Sequence, residues 1–402
     1  MSRTRWLTLG AISVWMFGVV IATAPVSTPA RPIAAQCASR EPIETVLFLL
    51  GDAGAPAEPA DGGDRVAAEP VLHALAVAGA DAVARVGAER AAAVFLGDNV
   101  YPDGIPMEPG PDRERAERRL GTQIEALRRA GLRAWFVPGN HDWGDGGDDD
   151  GWARVRRQGE LLAASGVATL APAGGCPGPL RVRLGAQLEL VLLDSAWWLY
   201  DGDKPRDPGS ACAAASEAEV AAALAAALRE ISGSGRQAVV IAHHPLASGG
   251  PHALRFRWFD HVFPLRAIDS RLFLPLPILG SVVPVARHFG ASAQDFSHPR
   301  NQALRAALEG ALAEAPPLVY AAGHDHGLQL LRGAAASWYV VSGAGSSRQI
   351  TFARRTEDTL YAEAVPGFAR LDVRRGASVE LRFFATADAG TPVESFSACL
   401  RE

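Results

Sequence analysis

Residues 94–103 read VFLGDNVYPD. An apolar run ends here in Asp98, Asn99 and, one residue further on, Tyr101. A lone acid in such a place usually caps a turn or a helix. The same ending recurs along the chain. TVLFLL at 45–50 runs into GDAG with Asp52, and LRAWFV at 132–137 leads through Pro138 into GNHD with Asn140, His141 and Asp142. QAVVIA at 237–242 runs into His243 and His244, and PLVYAA at 317–322 into GHDH with His324, Asp325 and His326.

Between these runs lie stretches of helical composition at 67–89, 112–131, 151–165, 216–231 and 301–314. Further strand patterns fall at 188–193 and 337–343, and a hairpin pattern covers 371–376 and 379–385. Strands alternating with helices argue a layered α/β fold. In open α/β sheets the loops that leave the carboxyl ends of the strands gather at one edge and form the site. Five such loops would bring carboxylates, an Asn carbonyl and several imidazoles together. Mixed O/N donor sets suit first-row metals better than calcium. The donors are too many for one tetrahedral zinc, so a pair of ions is the economical expectation. A carboxylate must then bridge them, and Asp98 is placed for it.

The pieces GDAG (51–54), GDNVY (97–101), GNHD (139–142), AHHP (242–245) and GHDH (323–326) occur in this order. Together they resemble the calcineurin-like metallophosphoesterases, and within them are most similar to the purple acid phosphatases. The resemblance covers roughly residues 43–345. It implies an α/β sandwich of two mixed β-sheets flanked by helices. It places one metal on Asp52, Asp98, Tyr101 and His326, and a second on Asp98, Asn140, His243 and His324. A phenolate ligand needs a strongly acidic ion, because free Tyr has a pKa near 10; Fe(III) serves, with Fe(II), Zn(II) or Mn(II) as its partner. His141 and His244 are the catalytic candidates. Asn99, Asp142 and Asp325 are expected to support the ligands or touch phosphate. One departure is Ala53, where this subgroup often carries Trp.

The implied activity is hydrolysis of phosphate esters, monoesters first, by a metal-activated hydroxide. Expected substrates are phosphorylated small molecules or phosphoproteins. Phosphodiester hydrolysis on nucleotides or lipids, and an exported binding module without activity, are the alternatives. The module reading conflicts with a ligand set from which no member is missing. SGAGSS at 342–347 looks like a phosphate-cradling loop but lacks the lysine and spacing of a Walker motif, and is read as structural.

The 402 residues carry a net charge of -5 and no long basic patch, which gives no support for a nucleic-acid groove. Arg3 and Arg5 precede an uncharged apolar run at 6–24. That is the pattern of a signal peptide, or, if retained, of an anchor holding the chain to a membrane. The chain is accordingly expected to be exported, periplasmic or secreted. Residues 25–42 read as a linker and 43–402 as one domain with a long insertion within 246–300. A lid, a packed extension and a lipid contact all remain open for the apolar stretch 273–285. The four cysteines, Cys37, Cys176, Cys212 and Cys399, are expected to form two disulfides. Three pairings are open, and Cys37 with Cys399 would tie the ends together.

Overall fold

The computed structural model describes residues 36–59, 62–145, 150–206, 212–267, 273–276, 278–386 and 390–402. The expected signal or anchor at 1–24 and the linker up to residue 35 lie outside the described residues. So do 146–149, and 268–272 and 277 of the insertion.

Two sheets of seven strands each carry the fold. The first has the order β14-β13-β12-β1-β2-β3-β4. Its strands are β1 (Ile43–Leu50), β2 (Ala91–Phe95), β3 (Arg133–Phe136), β4 (Ala168–Leu170), β12 (Gly367–Arg374), β13 (Val379–Thr386) and β14 (Pro392–Arg401). β1 to β4 pair in parallel, and β12 to β14 join antiparallel on the other side of β1. The second has the order β11-β9-β10-β8-β7-β6-β5. It contains β5 (Leu180–Leu184), β6 (Leu188–Leu192), β7 (Gln237–Ile241), β8 (Val319–Ala322), β9 (Leu328–Arg332), β10 (Trp338–Ser342) and β11 (Thr359–Glu363). Its centre, β6-β7-β8-β10, is parallel.

Strand alternation explains the layering. In β1, Leu47 and Leu49 face a core shared with Val239, Ile241 and Ala321 of the second sheet. Val46, Phe48 and Leu50 face the other way, into a core shared with the helices. Both faces of the central strands are therefore buried, which is why TVLFLL and AAAVFL read as unbroken apolar runs. The flanking helices are α1 (Arg65–Ala68), α2 (Pro70–Val86), α3 (Pro111–Ala130), α4 (Gly151–Ala164), α5 (Ala196–Leu199), α6 (Glu217–Ser234) and α9 (Pro299–Ala313). Two short helices, α7 (Trp258–Val262) and α8 (Val282–His288), belong to the insertion.

The two mixed sheets flanked by helices match the expectation. The helix expected at 67–89 is divided at Glu69, which is extended and whose carboxylate accepts from the Val71 N–H while Pro70 opens α2. Proline is suited to a first helical turn and not to an interior. β4, β5, β9, β11 and β14 were not legible as strands. β5 and β14 alternate polar with apolar residues, and β5 carries Arg181 and Arg183. Both disulfides are formed, Cys37 with Cys399 and Cys176 with Cys212. The first fixes the chain before β1 to edge strand β14.

Candidate metal centre

Five loops leave the parallel strands at one edge of the sandwich. β1 delivers Asp52, β2 delivers Asp98 and Tyr101, and β3 delivers Asn140. β7 delivers His243, and β8 delivers His324 and His326. Among the described residues seven non-glycines have positive φ, and three are Asp52 (60°), Asp98 (54°) and His324 (68°). Such a backbone costs about 1–3 kcal/mol per residue and persists where the surroundings enforce it. Two glycines make room. A Cβ at Gly139 would stand 2.1 Å from Asp98 Oδ1, and one at Gly97, whose φ is 97°, would stand 2.4 Å from His243 Nδ1.

The donor atoms fall into two groups with one atom in common. Around the first point, Tyr101 Oη lies 3.2 Å from Asp52 Oδ1, 3.0 Å from Asp98 Oδ2 and 3.1 Å from His326 Nε2. His326 Nε2 is 3.3 Å from Asp52 Oδ1. Around the second, His243 Nε2 lies 3.3 Å from Asp98 Oδ2, 3.0 Å from Asn140 Oδ1 and 3.1 Å from His324 Nδ1. Ligands about 2.1 Å from a common ion stand roughly 3 Å from one another. Both groups have that spacing, and Asp98 Oδ2 belongs to both.

With His243 neutral, the state in which it could bind a metal, hydrogen bonds do not account for the second group. His243 Nδ1 must donate to the Leu96 carbonyl 2.8 Å away, so neutral His243 turns the lone pair of Nε2 inward. Asn140 donates through Nδ2 to Asp145 Oδ1 at 2.8 Å, which turns its carbonyl oxygen inward. His324 Nε2 faces the Gln294 carbonyl at 3.3 Å, which leaves the Nδ1 lone pair inward. With the Asp98 carboxylate, four acceptors converge on one buried point. A cation satisfies all four at once, and the donor chemistry fits two first-row ions. The chain carries a site for two metal ions.

Electrostatics agree. Burial pushes the Tyr101 phenol up, and the Asp98 and Asp52 carboxylates push it further. Only a cation of high charge would make it a phenolate. Burial opposes charge on His243, but Asp98 and Asp52 carry its pKa up to about 9. Burial would likewise raise Asp98, yet His243 and His141 hold it well below the usual carboxylate range. A proton on His243 thus stands in for the missing positive charge when no metal is bound.

The other expected residues surround this core. Asp142 is fully buried and accepts from the backbone N–H groups of Asn99, Val100 and Gly139 at 2.8–3.2 Å. It ties the second and third loops together. Burial, with Asp98 nearby, pushes its pKa up to about 7 against those amides. Asn99 is also fully buried, and Nδ2 donates to the Val137 carbonyl and to Asp142 Oδ2. Asp325 accepts from the His252 backbone N–H at 3.1 Å. His141 donates through Nδ1 to the Pro102 carbonyl, leaving Nε2 3.9 Å from Asp98 Oδ2 at the pocket wall. His244 is buried behind His324, with Ser195 Oγ 2.8 Å from Nδ1 and Gln294 Oε1 2.7 Å from Nε2. It offers a nitrogen within 4.8 Å of those of His243 and His324, but both ring nitrogens have these partners. Burial and neighbouring His243 push its pKa down to about 3. The 342–347 loop backs the centre: Gly345 N–H donates to the Gly51 carbonyl and packs on Ala53, and Ser347 donates to Glu69.

A pocket of about 630 Å³ opens over the two groups, lined among others by Tyr101, Arg119, His141, His252, His326 and Arg348. His252 was not singled out in the sequence. Its ring lies 3.9 Å from that of His324, and Asp295 Oδ1 and Arg287 Nη2 each stand 3.0 Å from Nδ1. Arg287 also forks onto Asp295, whose carboxylate is fully buried. The sequence clue was a further histidine nine residues after His243, within a Gly/Pro-rich loop.

No family profile matches the sequence, and no curated protein matches it. Solved structures do match in shape. GAP50, the anchor in the inner membrane complex of Plasmodium, aligns with a TM-score of 0.54 at 13% identity, over 89% of this chain and 89% of that one. The purple acid phosphatase PPD1 from yellow lupin (Lupinus luteus) seeds aligns with a TM-score of 0.51 at 14% identity, over 88% of this chain and 53% of that one. The chain thus spans about half the length of the lupin protein. Shape and donor geometry together show a metallophosphoesterase-like α/β sandwich, the fold these two structures share, carrying two donor groups that fit a pair of metal ions.

Proposed function

We propose that this chain is an exported phosphoester hydrolase acting on monoesters, with Fe(III) at Asp52, Asp98, Tyr101 and His326. A divalent ion would take the second group. The observation that carries the reading is the single oxygen, Asp98 Oδ2, shared by two convergent donor sets. Such an ion pair supplies Lewis acidity toward phosphate oxygens and a nucleophile from water at neutral pH. The protein's own side chains do the rest. Arg119 and Arg348 at the pocket wall attract and orient an anionic ester. His141, held through Nδ1 by Pro102, presents Nε2 to the pocket. His252, held through Nδ1 by Asp295, is the second imidazole there. Either one is placed to give a proton to the leaving alcohol oxygen. Asp142 fixes the second and third loops so that Asp98 and Asn140 keep their spacing.

The test is the purified protein with measured metal content, assayed on p-nitrophenyl phosphate and on its bis-ester. Preferred turnover of the monoester, with a violet absorption band, supports the reading. Tyr101→Phe is expected to abolish the band while two ions per chain remain. A band unchanged in that variant removes Tyr101 from the ligand set. Preference for the diester removes the monoesterase assignment.

A further inference from the structure

The insertion between β7 and α9 turns apolar side chains outward. Thirteen large apolar side chains stand exposed among the described residues, and nine lie between Trp258 and Phe289. Trp258, Ile278, Leu279 and Phe289 are each between 70% and 88% exposed. Soluble surfaces rarely carry such a cluster without a use for it.

This exposure is built on an ordered base. The rings of Phe259 and Phe263 pack at 4.5 Å, and Phe263 and Phe273 at 5.9 Å. Leu276 N–H donates to the Val262 carbonyl at 2.7 Å, and His261 Nδ1 lies 3.1 Å from Ser281 Oγ, so α7 is tied to the turn before α8. At its root, Arg287 of α8 pairs with Asp295. The insertion thus stacks part-buried phenylalanine rings on one another and turns a larger set of apolar groups outward.

Charge identifies the occupant. Residues 254–290 contain five Arg, two Asp and no Lys or Glu, in a chain whose net charge is -5. Arg255, Arg257 and Arg355 line a surface groove of about 770 Å³ directly before Trp258, together with Arg354, which is paired with Asp260, and with the acids Glu357 and Asp358, so that arginines outnumber carboxylates there. An apolar face joined to a collar of arginines, with Trp at the boundary, has the chemistry of a segment lying in a membrane interface. Two copies of this chain meeting through that face would bring collars of like charge into one contact.

We propose that the insertion docks on the anionic surface of a lipid bilayer. Trp258, Ile278, Leu279, Val282, Val285 and Phe289 enter the acyl boundary, and Arg255, Arg257 and Arg355 meet lipid phosphates. The proposal stands apart from the hydrolase chemistry and from the apolar run at 6–24.

All four native cysteines are in disulfides, so one added thiol can be labelled selectively. The full chain carrying Ile278→Cys is labelled with an environment-sensitive fluorophore. The control is Val77→Cys on α2, another exposed apolar position. Vesicles of phosphatidylcholine with phosphatidylglycerol, containing brominated acyl chains, are added. The label at 278 is expected to shift to the blue and be quenched, and the label at 77 to do neither. Phe289→Asp is expected to remove the response at 278 without changing metal content or melting temperature. Replacing Arg255 and Arg257 together by Gln should weaken partitioning about thirtyfold, since each basic residue contributes ~1 kcal/mol at an anionic surface. A label at 278 that stays unquenched while the chain sediments with vesicles overturns the proposal, because another segment then makes the contact. A blue shift at 278 that appears without lipid and follows dimerisation also overturns it, in favour of a second copy of the chain.

Discussion

Asp98 Oδ2 is one atom with two jobs, and the chemistry of the site follows from its position. It is 3.0 Å from the Tyr101 oxygen on one side and 3.3 Å from His243 Nε2 on the other. The seven convergent side chains were legible because each sits in a short strand-end motif, where residue type and sequence position carry the information together. His252, Arg348 and Asp295 were not. Their relevance arises from where irregular loops fold back in space, and a Gly/Pro-rich loop has no periodicity from which to read a direction. His252→Ala is expected to lower kcat about a hundredfold, within the range typical for loss of a general acid, with both ions retained. Asp295→Asn should keep both ions and lower kcat in the same direction, since it removes a partner that holds the His252 ring. Loss of metal in His252→Ala would make that residue part of the support for His324 instead.

At the scale of elements, the site is a property of turns. Asp52, Asp98 and His324 accept positive φ, and Gly139 leaves the space that the Asp98 carboxylate fills. Gly139→Ala should therefore abolish binding of at least one ion, because the added methyl overlaps Asp98 Oδ1; circular dichroism near that of the parent would separate this from unfolding. The same crowding sets a pH dependence. In the metal-free protein His243 titrates at about 9 and must lose its proton before Nε2 can bind an ion. Below that value, affinity at the second position should fall about tenfold per pH unit, for one proton released. Metal titrations by calorimetry in two buffers of different ionisation enthalpy would count that proton. An affinity flat from pH 6 to 8 would contradict the assignment of His243 Nε2. Strand existence was legible where both faces are buried, as in β1 and β2. It was not legible for β5 or β14, where polar residues interrupt the apolar pattern and pairing with neighbours decides the structure.

For the whole molecule, two sheets packed face to face hold loops from both at one edge. The first sheet supplies Asp52, Asp98, Tyr101 and Asn140, and the second supplies His243, His324 and His326. The inter-sheet core of Leu47, Leu49, Val94, Val239, Ile241 and Ala321 fixes their relative position. Sequence order could place the loops at a common edge but not the distance between sheets, which depends on that packing. The insertion shows the same limit. Its apolar composition was plain, whereas which side chains turn outward depended on how its phenylalanine rings pack against one another. Among the described residues no helix is long and apolar enough to cross a membrane. The central claim is that side chains from both sheets close on two ions through one oxygen. Anomalous diffraction from crystals loaded with iron and zinc tests it most directly. Two peaks about 3.5–4 Å apart, with Asp98 Oδ2 bonded to both, are the predicted result. A single peak, or peaks that Asp98 does not touch, would contradict the account.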